Sequence, residues 1–266
     1  MNSFRRTSLL VAATGLGLAF TTLAAEKNPP LSAGELASRL SALRADGASY
    51  VRLRLEIKGA SSATLQLQIK QRQTKDAAEI VYQILFPKER KGESVLLRKT
   101  GSRHATGTVF LPPNTVRAID DLQAPLLGSD LSYEDVIENF FAWAQQTAVG
   151  SEEVDGVTCQ ILESKPGKGD RSNYGSVRSW IDTRRMVPLR VEKYSRSGQL
   201  LRRIDTTRVV ADAGHHLPAN LTVRGTRADS STLLDGSKIR HDVTYTDRDF
   251  TAEGLKEIAP PQGAPE

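Results

Sequence analysis

The side chains able to do covalent or metal chemistry are few and poorly placed for it. Of the four histidines, His215 and His216 are adjacent and point to opposite faces of an extended segment, while His104 and His241 have no ligand at metal-binding spacing. Cys159 is the single cysteine and sits in V-T-C-Q-I-L, a strand-like setting with no recognisable histidine partner, so a structural thiol is expected rather than a nucleophile. Ser129 and Asp130 read as turn residues. The chain has no G-x-S-x-G elbow, phosphate loop or H-E-x-x-H. This pattern argues against an enzyme and supplies no expected metal or cofactor, although a site assembled in space leaves no trace in sequence.

What the chain does concentrate is hydrocarbon. In G-S-D-L-S-Y-E-D-V-I-E-N-F-F-A-W-A, Gly128 to Ala144, Ser132 and Asp135 have the form of a capping box. Glu134 and Asp135 add negative charge to a first turn. Tyr133, Val136, Ile137, Phe140, Phe141 and Ala144 then recur at the spacing of one helical face. A helix with so broad an apolar face must cover something: an ordinary core, or a cavity that holds lipid.

The elements around it are mostly strands. Val51, Leu53, Leu55 and Ile57 alternate with Arg52, Arg54, Glu56 and Lys58, and Leu65, Leu67 and Ile69 alternate with Gln66, Gln68 and Lys70. Ile80, Tyr82, Ile84 and Phe86 form a third apolar row, and one face of this sheet is expected to be wet. Further strands are expected at 94–99, 108–111, 116–119, 157–163, 176–182, 189–194, 199–210, 221–227 and 239–246. A capping box at Ser32 opens a short amphipathic helix ahead of them, with Leu36, Leu40 and Leu43 on one face. The expected class is α+β, mainly β: a strongly curved antiparallel sheet of about ten or eleven strands, an incomplete β-barrel closed by a few helices.

The N-terminus M-N-S-F-R-R, the apolar run Leu9 to Phe20 and the small residues before Ala25 read as a secretory signal peptide over residues 1 to about 25. One exported domain, 26–266, follows. The formal charge of +5 includes two arginines of the leader. So modest an excess in an exported protein points to membrane headgroups or an acidic partner, not to nucleic acid. Eight basic residues, Arg184, Arg185, Arg190, Lys193, Arg196, Arg202, Arg203 and Arg208, gather in one later hairpin region. They read either as a headgroup-facing patch or as the solvated outer side of that hairpin.

With G-S-D-L-S-Y-E-D and W-I-D-T-R-R-M-V-P-L-R-V-E-K-Y-S-R-S-G-Q-L-L, Trp180 to Leu201, the chain resembles the periplasmic outer-membrane lipoprotein-sorting proteins of the LolA-like family. The resemblance implies a LolA/LolB-like incomplete barrel in the periplasm, a transport chaperone whose apolar interior shields acyl chains of a lipoprotein or lipid on the way to the outer membrane. It also implies an inner-membrane transporter and an outer-membrane acceptor as partners. The expected lining is Leu53, Leu55, Ile57, Leu65, Leu67, Ile69, Ile80, Tyr82 and Ile84, facing Val136, Ile137, Phe140 and Phe141. The same residues would also make a packed core. The family's lid-latching arginine has no assigned counterpart among Arg52, Arg54 and their neighbours. An accessory subunit or lipid sensor of a hydrophobe exporter or envelope-signalling system is the alternative role.

Overall fold

The computed structural model describes residues 30–44, 47–74, 76–212 and 214–261. The expected signal peptide lies outside them. From Leu31 onward the described residues form one compact unit.

Period-two alternation produces the sheet. Six strands come first: β1 (Ala48–Lys58), β2 (Ala63–Gln73), β3 (Ala77–Phe86), β4 (Ser94–Thr100), β5 (Thr106–Leu111) and β6 (Thr115–Ala118). Seven more follow the inserted segment: β7 (Gln145–Val154), β8 (Val157–Lys165), β9 (Ser176–Asp182), β10 (Val187–Tyr194), β11 (Leu200–Asp212), β12 (His215–Arg224) and β13 (Ser231–His241). All thirteen join one sheet in the order β6-β5-β4-β3-β2-β1-β13-β12-β11-β10-β9-β8-β7. Each half is therefore a meander of sequence neighbours, and the two are joined along the antiparallel pair β1 and β13. β6 and β7 are the free edges, so the sheet is curved and open rather than a closed barrel.

Register puts the apolar rows on one face. Leu53 pairs with Leu67 and Leu55 with Leu65; Leu67 pairs in turn with Ile84, Ile69 with Tyr82, and Tyr82 with Val95. Cross-strand pairs of this kind are the unit from which sheet stability is built.

The opposite face of β2 to β4 is not wet, as the alternation suggests. Gln68, Lys70 and Gln83 are buried there because the C-terminal segment folds back over them. Phe250 and Leu255 pack on Val81, Leu96 and Phe110. The Lys70 ammonium meets Asp249 at 2.9 Å, and the Gln83 amide donates to the carbonyls of Leu255 and Glu257.

One strand was not expected, and one expected boundary moves. β7, Q-Q-T-A-V-G-S-E-E-V, has no apolar alternation because it is an exposed edge, and its pairing with β8 is interrupted by a bulge between Ala148 and Gly150. The last strand lies at Ser231–His241, earlier than the 239–246 read from sequence.

Helix α1 (Ala33–Arg44) starts where Ser32 accepts the Glu35 N–H, and buries Leu36, Ala37 and Leu40 while Leu43 stays exposed. Helix α2 is only Tyr133–Ile137. The long helical face expected through Ala144 is broken at Glu138, which is extended (φ −78°, ψ 129°), and a single 3-10 turn at Phe140–Ala142 follows.

Gly175 illustrates how tightly the second meander is assembled. A Cβ built there would lie 2.6 Å from the Ser195 carbonyl and 2.7 Å from the Arg196 Cα, both backbone atoms. Gly175→Ala is expected to cost about 1–3 kcal/mol, read as a lower urea midpoint at unchanged slope.

Candidate functional site

A chain that ends one meander at the edge strand β6 and starts the next at the opposite edge β7 must cross the sheet between them. The segment that crosses, 119–144, carries the residues expected to form a lid. Its apolar side rests on the expected lining. All nine strand positions, Leu53 through Ile84, lie in one cluster with Leu126, Leu127, Leu131 and Ile137, and Val136 packs at its border. Leu126, Leu65 and Ile84 have no exposure at all. The lid's own leucines thus occupy the face that an open cavity would leave to a guest.

Phe140 and Phe141 do not share that surface. They pack with Leu36 and Leu40 of α1 and with Trp143, Leu162, Tyr174, Val177, Ile181 and Val191, over the second meander. The break at Glu138 explains the division: it turns α2 toward one half of the sheet and the aromatic turn toward the other.

The polar side of the lid is more unusual. Four of its carboxylates, Asp130, Glu134, Asp135 and Glu138, are buried, and each is held by a different part of the chain. Asp130 accepts from Arg227 at 2.8 Å and from the hydroxyls of Ser230 and Thr232, at the start of β13. Glu134 accepts from Ser172 at 2.5 Å, from the Asn173 N–H and side-chain amide, and from Gln123. Glu138 meets Lys99 of β4 and accepts from the Trp143 indole at 2.8 Å.

The Asp135 side chain has no exposure and meets two cations. Its carboxylate lies 2.9 Å from Lys193 of β10 and 3.3 Å from Arg202 of β11, and it accepts from the Tyr174 hydroxyl and the Ser132 N–H at 2.6 Å each. The Ser132 hydroxyl accepts from the Asp135 N–H, completing the expected capping box. Burial pushes the Asp135 carboxyl up, but Lys193, the Ser132 N–H, Tyr174 and Arg202 outweigh it and hold it below the ordinary carboxylate range. The Tyr174 hydroxyl moves up, through its own burial and then the Asp135 charge. The Lys193 ammonium also sits 5.4 Å from the Phe140 ring centre and 5.2 Å from that of Tyr174.

Sequence reading places Asp130 in a turn, Glu134 and Asp135 in a charged first turn, and Lys193 and Arg202 in a basic hairpin region. None of these positions shows the clamp. One signal was available: Lys193 falls on the same side of β10 as Val187, Leu189 and Val191, so period two places a cation among inward-facing residues. Arg54 has no such role, since it pairs with Glu56 on a largely exposed surface.

Cys159 is fully buried, and burial, followed by the nearby Asp182 charge, pushes its thiol up to about 11. It is a packing residue. Among the described residues, no group of histidine, cysteine and carboxylate side chains could hold a metal ion, and no helix is long and apolar enough to cross a membrane. A cavity of about 200 Å³ opens beside the end of α2, lined by Ile137, Glu138, Ala142 and Trp143 of the lid and by Lys99 and Asp170.

A family model described as that of an uncharacterized protein matches residues 76–257. The fold is also that of several solved structures. A DUF1329 family protein from Desulfovibrio piger is 24% identical, with 84% of this chain and 97% of that one aligned at a TM-score of 0.78. A putative outer membrane lipoprotein-sorting protein domain from Vibrio parahaemolyticus is 22% identical over 85% and 98% of the two chains, TM-score 0.76. A LolA superfamily protein from Nitrosomonas europaea is 17% identical over 85% and 100%, TM-score 0.67. A comparison with curated proteins finds no match.

Proposed function

The chain belongs to the family of uncharacterized proteins whose model matches residues 76–257, and from the likeness of its fold to LolA superfamily structures we propose that it is a LolA-like periplasmic carrier. It shields acyl chains of a lipoprotein or lipid against the face bearing Leu53 through Ile84 and passes them toward the outer membrane. The observation that supports this reading is the lid: a mostly irregular segment whose leucines fill an apolar face, tied down by side-chain clamps at Asp130, Glu134, Asp135 and Glu138.

Room for a guest is made by exchange. Each buried CH₂ of an acyl chain gains about 0.8 kcal/mol, and two long chains taken from water would exceed the practical affinity ceiling of about 18–21 kcal/mol. Cargo held that tightly would never leave. When an acyl chain instead leaves a bilayer and takes the place of Leu126, Leu127, Leu131 and Ile137, one apolar contact replaces another. The clamps then set how readily the lid gives way. The carrier does no covalent chemistry.

Native mass spectrometry of the protein taken from its own periplasm tests the proposal. Bound lipid, or uptake of a fluorescent fatty acid by the stripped protein, is expected. A lipid-free protein that takes up none ends the carrier reading.

The filled interior itself favours one other role: an accessory subunit or lipid sensor of a hydrophobe exporter or envelope-signalling system, which needs no cargo space. A stable complex with an inner-membrane transporter would support it. Free protein carrying lipid would support the shuttle.

A further inference from the structure

Beside the lid lies a second cavity, of about 380 Å³, whose wall is cationic. It is lined by Lys168 and Arg171 of the loop after β8, by Arg196 of the β10–β11 turn and by His104, with Asp170 as its acid. That acid is already engaged: its Oδ2 accepts the N–H groups of Gly167 at 2.8 Å and Ala144 at 3.3 Å. Arg196 donates one N–H to the Ser172 carbonyl at 3.1 Å. Neither Lys168 nor Arg171 has a hydrogen-bond or ion-pair partner among the described residues. Positive charge therefore gathers in a concavity with too little negative charge to answer it.

Two connections tie this cavity to the lid. Ser172 and Asn173, in its wall, are the groups that hold Glu134 of α2. Asp170 lines both this cavity and the smaller one that reaches Ile137 and Trp143. A ligand whose apolar part enters beside Ile137 would thus carry its head past Asp170 toward Lys168, Arg171 and Arg196.

We infer that this basic cavity is a phosphate-binding headgroup subsite, and that the cargo is an anionic, phosphate-bearing lipid. The inference deepens the carrier reading and rests on it. Two exposed cations and a guanidinium with free N–H groups suit a phosphate, whose oxygens accept charge-assisted hydrogen bonds from each. A bound headgroup would also neutralise charge next to the Glu134 anchor, linking arrival of the cargo to the hold on the lid.

The experiment compares uptake of phosphatidylglycerol and of diacylglycerol with the same chains, from donor vesicles, by the wild-type protein and by Lys168→Ser/Arg171→Ser. Both positions are exposed, and a far-UV spectrum checks that the sheet persists. The wild type should prefer phosphatidylglycerol by about tenfold or more, as expected when hydrogen bonds to a charged group are made. The double variant should lose that preference. Equal uptake of the two lipids by the wild type, or a preference that survives in the variant, overturns the headgroup subsite and leaves the carrier reading standing. No uptake of either lipid overturns both. Inorganic phosphate supplies the remaining arm: if it binds at micromolar levels and does not compete with phosphatidylglycerol, the cavity serves a free anion and the headgroup assignment fails.

Discussion

Asp135→Ala is expected to lower the stability of the fold by about 3–5 kcal/mol, the usual cost of removing one partner from a buried ion pair. The mechanism is the charge left behind: Lys193, almost fully enclosed, would face Arg202 with no anion between them. Replacing both members of the pair, Asp135→Leu with Lys193→Met, should recover most of the loss, because a buried pair exchanged for apolar side chains of similar size is often neutral. The sign of the pH dependence follows from the direction of the shift. The folded-state pKa of Asp135 lies below its unfolded value, so its stabilisation is complete above the unfolded value near pH 4 and is lost as pH falls through the lowered folded value. Urea denaturation of wild type and Asp135→Asn should therefore show a gap at pH 7 that narrows in acid below about pH 4. A loss below about 1 kcal/mol for Asp135→Ala, in the range of an exposed pair, would mean that the clamp does not hold the lid.

Leu131→Ala should do two things at once. Truncating a buried leucine costs about 2–5 kcal/mol, and this leucine lies in the cluster that fills the sheet face. If acyl chains replace lid side chains, the vacated volume and the weaker lid should increase fluorescent fatty-acid uptake while the denaturation midpoint falls. A fall in stability with no gain in uptake would show that the interior is a permanent core, and the accessory-subunit reading would then be the better one.

Alternation made the first meander readable: each apolar row from Leu53 to Ile84 was visible because one side of every strand packs and the other bears polar groups. The capping box at Ser132 was legible for the same reason, since its logic is local. The remainder depended on long-range partners. Nothing near Lys70 or Gln83 in sequence announces that residues 245–257 will cover them. The helix at Tyr133 stops early because Glu138 finds Lys99 and Trp143, one of them far back in the chain. β7 escaped notice because an edge strand needs no apolar face. The lid clamp was hidden by a sound general rule, that carboxylates and lysines belong outside, which this segment breaks four times.

The way the two meanders meet has a practical consequence. Apart from the C-terminal strap over β2 to β4 and helix α1, which packs over the second meander, the first half is built from sequence-local pairings, and so is the second; β1 and β13 seam them together from far ends of the chain. A cut in the crossing segment would thus yield two fragments with the sheet's native strand pairs divided between them, and each would keep one side of the seam. Such pieces, co-expressed, are suited to reassemble by complementation, and tagging them with halves of a reporter would turn lid severance into a signal.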